Sequence, residues 1–225
     1  MKEIKFKFET GTEELVLQDR ETLKKCLSQP YIYVRIPRTG STSISTMLRT
    51  SRNDNGWPHF YASLLRDLIG QDEYDKRLVF ASVRNPWDRL VSWYMFNCND
   101  YRADEQQSKF YRKLGFKNWI MQGCPHHGWR PHHFAHQPKD TISQLSWITD
   151  EDGKIIVDKI IRLENLKEDF ESIGKELGIQ PRPIVKMNIS PKRQYKDYRK
   201  YYDSESAQKV VELYGDDIRH FKYEF

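Results

Sequence analysis

The stretch Tyr31-Ile32-Tyr33-Val34-Arg35-Ile36-Pro37-Arg38-Thr39-Gly40-Ser41-Thr42-Ser43-Ile44-Ser45-Thr46-Met47-Leu48-Arg49 decides the fold. Its first six residues are β-branched, aromatic or apolar around a single Arg, which predicts a buried strand, and Pro37 ends it. Hydroxyl residues then crowd a helix start. Ile44, Met47 and Leu48 fall on one face, which predicts a helix over 41–49. A short turn with one glycine joins the two. Such a unit is an anion site in physical terms, because the first N–H groups of a helix lack internal partners and its dipole is positive there. Thr39, Ser41, Thr42 and Ser43 add hydroxyl groups, and Arg38 adds a fixed positive charge. Taken alone, the segment leaves two readings open: a phosphate site, or hydroxyl residues that simply cap a helix.

A nucleoside-triphosphate loop is the natural rival. It needs two glycines separated by four residues, followed by Lys and then Ser or Thr. Here the loop is shorter, has one glycine and no Lys, and its basic residue precedes the glycine. That argues for a different phosphate ligand and against a P-loop kinase.

Outward from this unit the pattern repeats. Residues 2–8 alternate charged and apolar side chains, as a half-exposed strand does. Residues 59–69 read as an amphipathic helix opened by His59 and stopped by Gly70. Residues 77–83 read as a second buried strand. Asn85 then suits an N-cap and Pro86 the first helical position of a helix running through Trp93 and Tyr94. Residues 100–150 are the least regular. Residues 159–163 read as a third strand, and 165–177 and 204–214 as helices, the last followed by an aromatic tail. Strands alternating with helices predict an α/β fold: a single domain, with a P-loop-NTPase-like parallel sheet flanked by helices. No repeat, low-complexity tract or long linker divides the 225 residues.

Composition bounds the function. With 38% hydrophobic residues the chain can bury a core, and no apolar run reaches the roughly 18 residues that a membrane helix needs. The N-terminus lacks the apolar centre of a signal peptide, so a cytoplasmic protein is expected. Three cysteines, Cys26, Cys98 and Cys124, make no disulfide framework and are expected to be reduced. A net charge of +5 suits an anionic ligand but is too diffuse to argue for nucleic acid.

The loop 36–43, Ile-Pro-Arg-Thr-Gly-Ser-Thr-Ser, resembles the 5'-phosphosulfate loop of sulfotransferases that use 3'-phosphoadenosine-5'-phosphosulfate (PAPS), closest to the carbohydrate (Golgi-type) branch and its bacterial relatives. Many relatives sit behind a membrane anchor, which is not found in this sequence. The family usually has Lys where this chain has Arg38. The charge is kept but is presented as a planar fork.

Residues 80–94, Phe-Ala-Ser-Val-Arg-Asn-Pro-Trp-Asp-Arg-Leu-Val-Ser-Trp-Tyr, resemble the family's 3'-phosphate motif almost position for position. The resemblance implies that Arg84 and Ser92 bind the 3'-phosphate. The physical reading agrees, since Arg84 follows a strand end, where ligands of open α/β sheets gather, and a guanidinium grips phosphate bidentately. Arg89 stays open between a ligand role and a surface ion pair. Trp87, Trp93 and Tyr94 are read as core.

Sulfuryl transfer to a hydroxyl needs a base, and His is the usual one near neutral pH. His59 stands where bacterial members of the family carry a His, so the resemblance makes it the base and Arg38 its catalytic partner. Residues 161–170, which contain Arg-Leu-Glu-Asn-Leu, and 188–225 extend the resemblance over roughly 30–225. In the last part Lys192 and Arg193 either cover the cofactor phosphates or form a solvated charge run. His126, His127, His132, His133 and His136, with Cys124, fit no closed zinc spacing, and no metal is expected. The segment reads as acceptor-binding or as a plain surface loop.

The expectation is therefore PAPS-dependent sulfuryl transfer to a hydroxyl of a carbohydrate or small molecule, with no nucleic acid partner and no membrane span. The alternatives are a P-loop nucleotide kinase and a catalytically inactive binder of PAPS or of the desulfated cofactor, 3'-phosphoadenosine-5'-phosphate (PAP).

Overall fold

The computed structural model describes residues 27–48, 59–99, 105–125, 143–179 and 193–225. The strand expected over 2–8, Cys26, Lys192 and the five histidines of 126–136 lie outside the described residues. The chain gathers into two compact units, one of residues 1–83 and 132–185, the other of 84–131 and 186–225. Among the described residues the helices in chain order are α1 (Ser41–Leu48), α2 (Ala62–Ile69), α3 (Gln71–Asp75), α4 (Pro86–Asn99), α5 (Glu105–Leu114), α6 (Phe116–Met121), α7 (Leu166–Leu177) and α8 (Ser204–Phe221).

The first unit carries a parallel sheet of β1 (Tyr31–Val34), β2 (Leu78–Val83) and β3 (Lys159–Arg162), in that spatial order. Tyr31 pairs with Leu78, and Phe80 with Lys159. Every residue of β1 is buried, and so is all of β2 after Leu78. Continuous burial, rather than alternation, is what a parallel strand covered on both faces requires. This is the α/β class that the sequence predicts. Because the strands are parallel, their carboxyl ends share one edge, and the 35–40 loop, Val83 and Leu163 all lie there.

Paired contacts fix β3 in place. Asp158 N–H donates to the Val79 carbonyl at 2.7 Å, and Asp158 Oδ2 accepts from Val79 N–H at 2.8 Å. At the other end, Arg162 N–H donates to Asp169 Oδ2 on α7 at 2.7 Å. Gly70 ends α2 as expected, with φ +85° and its N–H on the Arg66 carbonyl. Two details differ from the sequence reading. The helix begins at Ala62, so His59 stands before it rather than opening it, and the short α3 follows at once.

The second unit is helical and aromatic. Asn85 caps α4 as expected: its Oδ1 accepts from Trp87 N–H at 3.1 Å and Asp88 N–H at 3.4 Å, with Pro86 in the first helical position. Its Nδ2 donates to the Glu224 carbonyl at 2.8 Å. Trp87 Nε1 donates to the Ala207 carbonyl, and Tyr202 OH to the Trp87 carbonyl. Tyr94, Tyr111, Phe116 and Trp119 pack with ring centroids 5.3–6.2 Å apart.

Helices α5 and α6 occupy a stretch that reads as irregular. Helix α5 is charged, with Ser108 and Tyr111 buried, so an aromatic ring supplies the contact that an aliphatic stripe would have advertised. Helix α8 continues past Tyr214 to Phe221. Tyr214 has non-helical angles, but Val210, Tyr214, Asp217 and Phe221 keep the buried stripe across the kink. Arg89 is no surface ion-pair residue. It is 2% exposed, with its guanidinium 5.3 Å from the centroid of Trp93. Among the described residues no helix is long and apolar enough to cross a membrane.

Candidate active site

The loop after β1 is shaped by an alternation in backbone sign. Arg38 has φ +65° and Gly40 φ +81°, with Thr39 between them in the ordinary half of the map. Such alternation turns successive N–H groups to one side and makes an anion-binding concavity. A left-handed arginine costs about 1–3 kcal/mol, strain of the kind that clusters at functional sites. Gly40 is required by its φ, and a Cβ there would also have to push aside Leu163 Cδ1, the end of a half-buried side chain. Leu163, in the Arg-Leu-Glu-Asn-Leu segment, is thus the partner that closes the loop from β3. The N–H of Ile44 makes the first helical bond to the Gly40 carbonyl at 3.1 Å, which leaves the 41–43 amides at the open end of α1.

The hydroxyl residues of the loop divide by role. Thr39 is fully buried, and its Oγ1 donates to the Ile36 carbonyl at 2.8 Å. A hydroxyl has one proton, so the 2.8 Å contact with Ser82 Oγ makes Ser82 the donor. The 2.7 Å contact between Ser82 and Tyr33 OH then makes Tyr33 the donor in turn. Burial pushes the Tyr33 phenol well above its usual range, so it keeps the proton that this chain needs. The Thr39 side chain is therefore structural, and what it offers a ligand is backbone. Ser41 and Ser43 are buried and Thr42 half-buried at the helix start. Replacing Thr39 by Val strands the Ser82 hydroxyl proton in the core. A loss of about 1–3 kcal/mol in unfolding free energy is expected, read from the denaturant midpoint at unchanged m-value.

His59 is held against the same loop. Its Nδ1 lies 2.6 Å from the Arg35 carbonyl oxygen. A carbonyl only accepts, so Nδ1 carries the hydrogen and the neutral ring has its lone pair on Nε2. Trp147, fully buried in the 3-10 turn Leu145–Trp147, meets the imidazole edge-on at 6.5 Å and 84°. The ring is thus fixed in tautomer and orientation, the two properties a general base needs. Nothing in the sequence marked Trp147 for this support.

In the second unit, Arg84 and Arg193 meet on one carboxylate that the sequence reading passed over. Arg84 donates from Nε at 2.8 Å and Nη2 at 2.7 Å to Asp88 Oδ2, and Arg193 Nη2 donates to Asp88 Oδ1 at 2.5 Å. The spacing of Arg84 and Asp88, four residues apart, was the available signal. Ser92 follows Asp88 by one more turn, and both are half-buried on α4, whose neighbouring positions are buried. Among the described residues no group of three His, Cys, Asp or Glu is placed to hold a metal ion. Cys98 and Cys124 are free and buried, and burial pushes the Cys124 thiol up to about 12, far from a nucleophile's range.

A search of curated proteins finds an uncharacterized protein of Archaeoglobus fulgidus, 27% identical over 135 residues, which are 60% of this chain and 96% of that one. Among solved structures, mouse sulfotransferase SULT7A1 complexed with PAP overlays with a TM-score of 0.47 and 14% identity, over 91% of this chain and 90% of that one. The family model described as Sulfotransferase family matches residues 27–224, spanning the β1 loop, the Arg84 segment and the C-terminal helix alike, and the chain belongs to that family.

Proposed function

We propose that this sulfotransferase takes its sulfuryl group from PAPS and passes it to a hydroxyl of a carbohydrate or small molecule, with His59 as the base. The tautomer of His59 carries the reading: with Nδ1–H given to the Arg35 carbonyl, Nε2 is the atom that can accept a proton beside the loop. The acceptor oxygen forms a bond to sulfur, and its proton goes to Nε2. The bond from sulfur to the bridging oxygen breaks, and its electron pair stays on the 5'-phosphate of the departing PAP. Arg38 and the amides of 39–43 face that growing charge, the preorganised stabilisation on which such transfers depend. Arg84, Ser92 and Arg193 hold the 3'-phosphate, and Lys192 is assigned there by resemblance. Metal plays no part in this scheme.

The test is a panel of sugars, lipids and simple alcohols offered with labelled PAPS, alongside calorimetric titration with PAP and ATP. PAP is expected to bind and ATP not, with label appearing on a sugar or small alcohol. PAP binding without transfer to any hydroxyl would leave only a cofactor binder.

A further inference from the structure

We infer that Asp88 is a positioning residue that sets Arg84 and Arg193 for the 3'-phosphate, an inference that rests on the PAPS reading of the site. One carboxylate takes two guanidinium groups, Arg84 on Oδ2 and Arg193 on Oδ1, at 2.5–2.8 Å. All three side chains are largely withdrawn from water, at 13%, 21% and 17% exposure for Arg84, Asp88 and Arg193. Two arginines brought this close repel one another, and without the intervening anion they would splay. With it, the cluster keeps one net positive charge and both forks are held on the same side of α4. A guanidinium is a rigid planar fork, so engaging Arg84 through Nε and Nη2 decides which way its other end points. Arg193 is further held with its guanidinium 5.9 Å from the Tyr201 ring centroid, and among the described residues its buried Nε has no hydrogen-bond partner. Ser92, one turn beyond Asp88 on the same helix face, adds a hydroxyl beside the pair.

Asp88 also marks the boundary between positioning and competition. A carboxylate near a phosphate both orients its arginines and repels the ligand. The double grip on Arg84, with Arg193 recruited from more than a hundred residues away in sequence, makes orientation the larger effect.

The experiment compares PAP with 5'-AMP, which lacks the 3'-phosphate, on wild type, Asp88→Asn, Arg84→Gln and the double variant. Asp88→Asn should raise the Kd for PAP about tenfold or more and leave that for AMP unchanged, since charged hydrogen bonds of this kind are worth that much. In turnover the loss should fall on KM for PAPS. In the Arg84→Gln background, Asp88→Asn should cost less than it does alone, because the part of its effect that passes through Arg84 is already lost and only the part through Arg193 remains. Tighter PAP binding by Asp88→Asn would make Asp88 a competing anion and overturn the inference. Equal losses for PAP and AMP would reduce it to a general structural ion pair, and full additivity with Arg84→Gln would also refute it. A wild type that binds AMP as well as PAP defeats the PAPS reading itself and takes this inference down with it.

Discussion

Replacing His59 by Asn lowers kcat by about 100- to 10,000-fold while PAP affinity stays within about twofold. The Asn variant is chosen for its geometry. Its side-chain amide can still donate to the Arg35 carbonyl, as Nδ1–H does at 2.6 Å, but it has no basic nitrogen in the place of Nε2. His59→Ala removes the anchor together with the base and should lose at least as much. If the anchor were what mattered, Asn would rescue and Ala would not. The pH dependence gives a second readout. A base must be deprotonated to act, so wild-type kcat falls on the acid side as the imidazole charges, and that limb should vanish in both variants. An Asn variant with wild-type kcat and an intact acid limb would move the base elsewhere.

The second large effect belongs to Gly40→Ala. An alanine at φ +81° costs about 1–2 kcal/mol for the left-handed backbone, and the overlap with Leu163 adds about 1–3 kcal/mol of overpacking. Together they should lower unfolding free energy by about 2–5 kcal/mol, and PAP affinity should fall because the amides of 39–43 lose their common direction. The double variant Gly40→Ala with Leu163→Ala removes the overlap and leaves the backbone strain. It should regain part of the stability and little of the affinity. Unchanged PAP binding in Gly40→Ala would mean that the loop shape does not matter to the ligand.

Much of this was legible in the sequence because it is local. The 31–34 strand, the turn and α1 follow from residues that are neighbours in the chain, and the Asn85–Pro86 helix start follows from capping chemistry within four residues. What was not legible depends on distant partners. Leu163 closes on Gly40, and Ser82 ties Thr39 to Tyr33, through the parallel register of β1, β2 and β3, which no local pattern encodes. The same holds for Trp147 behind His59 and for Arg193 on Asp88. Thr39 shows the cost of reading residue type alone. A hydroxyl in a phosphate loop suggests a ligand, but this one is turned into the core. Helices α5 and α6 escaped notice because rings such as Tyr111 and Trp119, not an aliphatic stripe, bury them.

The most direct measurement follows two labels at once. The protein is given PAPS labelled in sulfur and ATP labelled in its terminal phosphate, together with the hydroxyl acceptors, and the products are separated. Sulfur label on an acceptor oxygen, with one PAP released for each ester formed and no phosphorus label transferred, is the expected result. Phosphorus on the acceptor, or PAPS held without any ester formed, would contradict it.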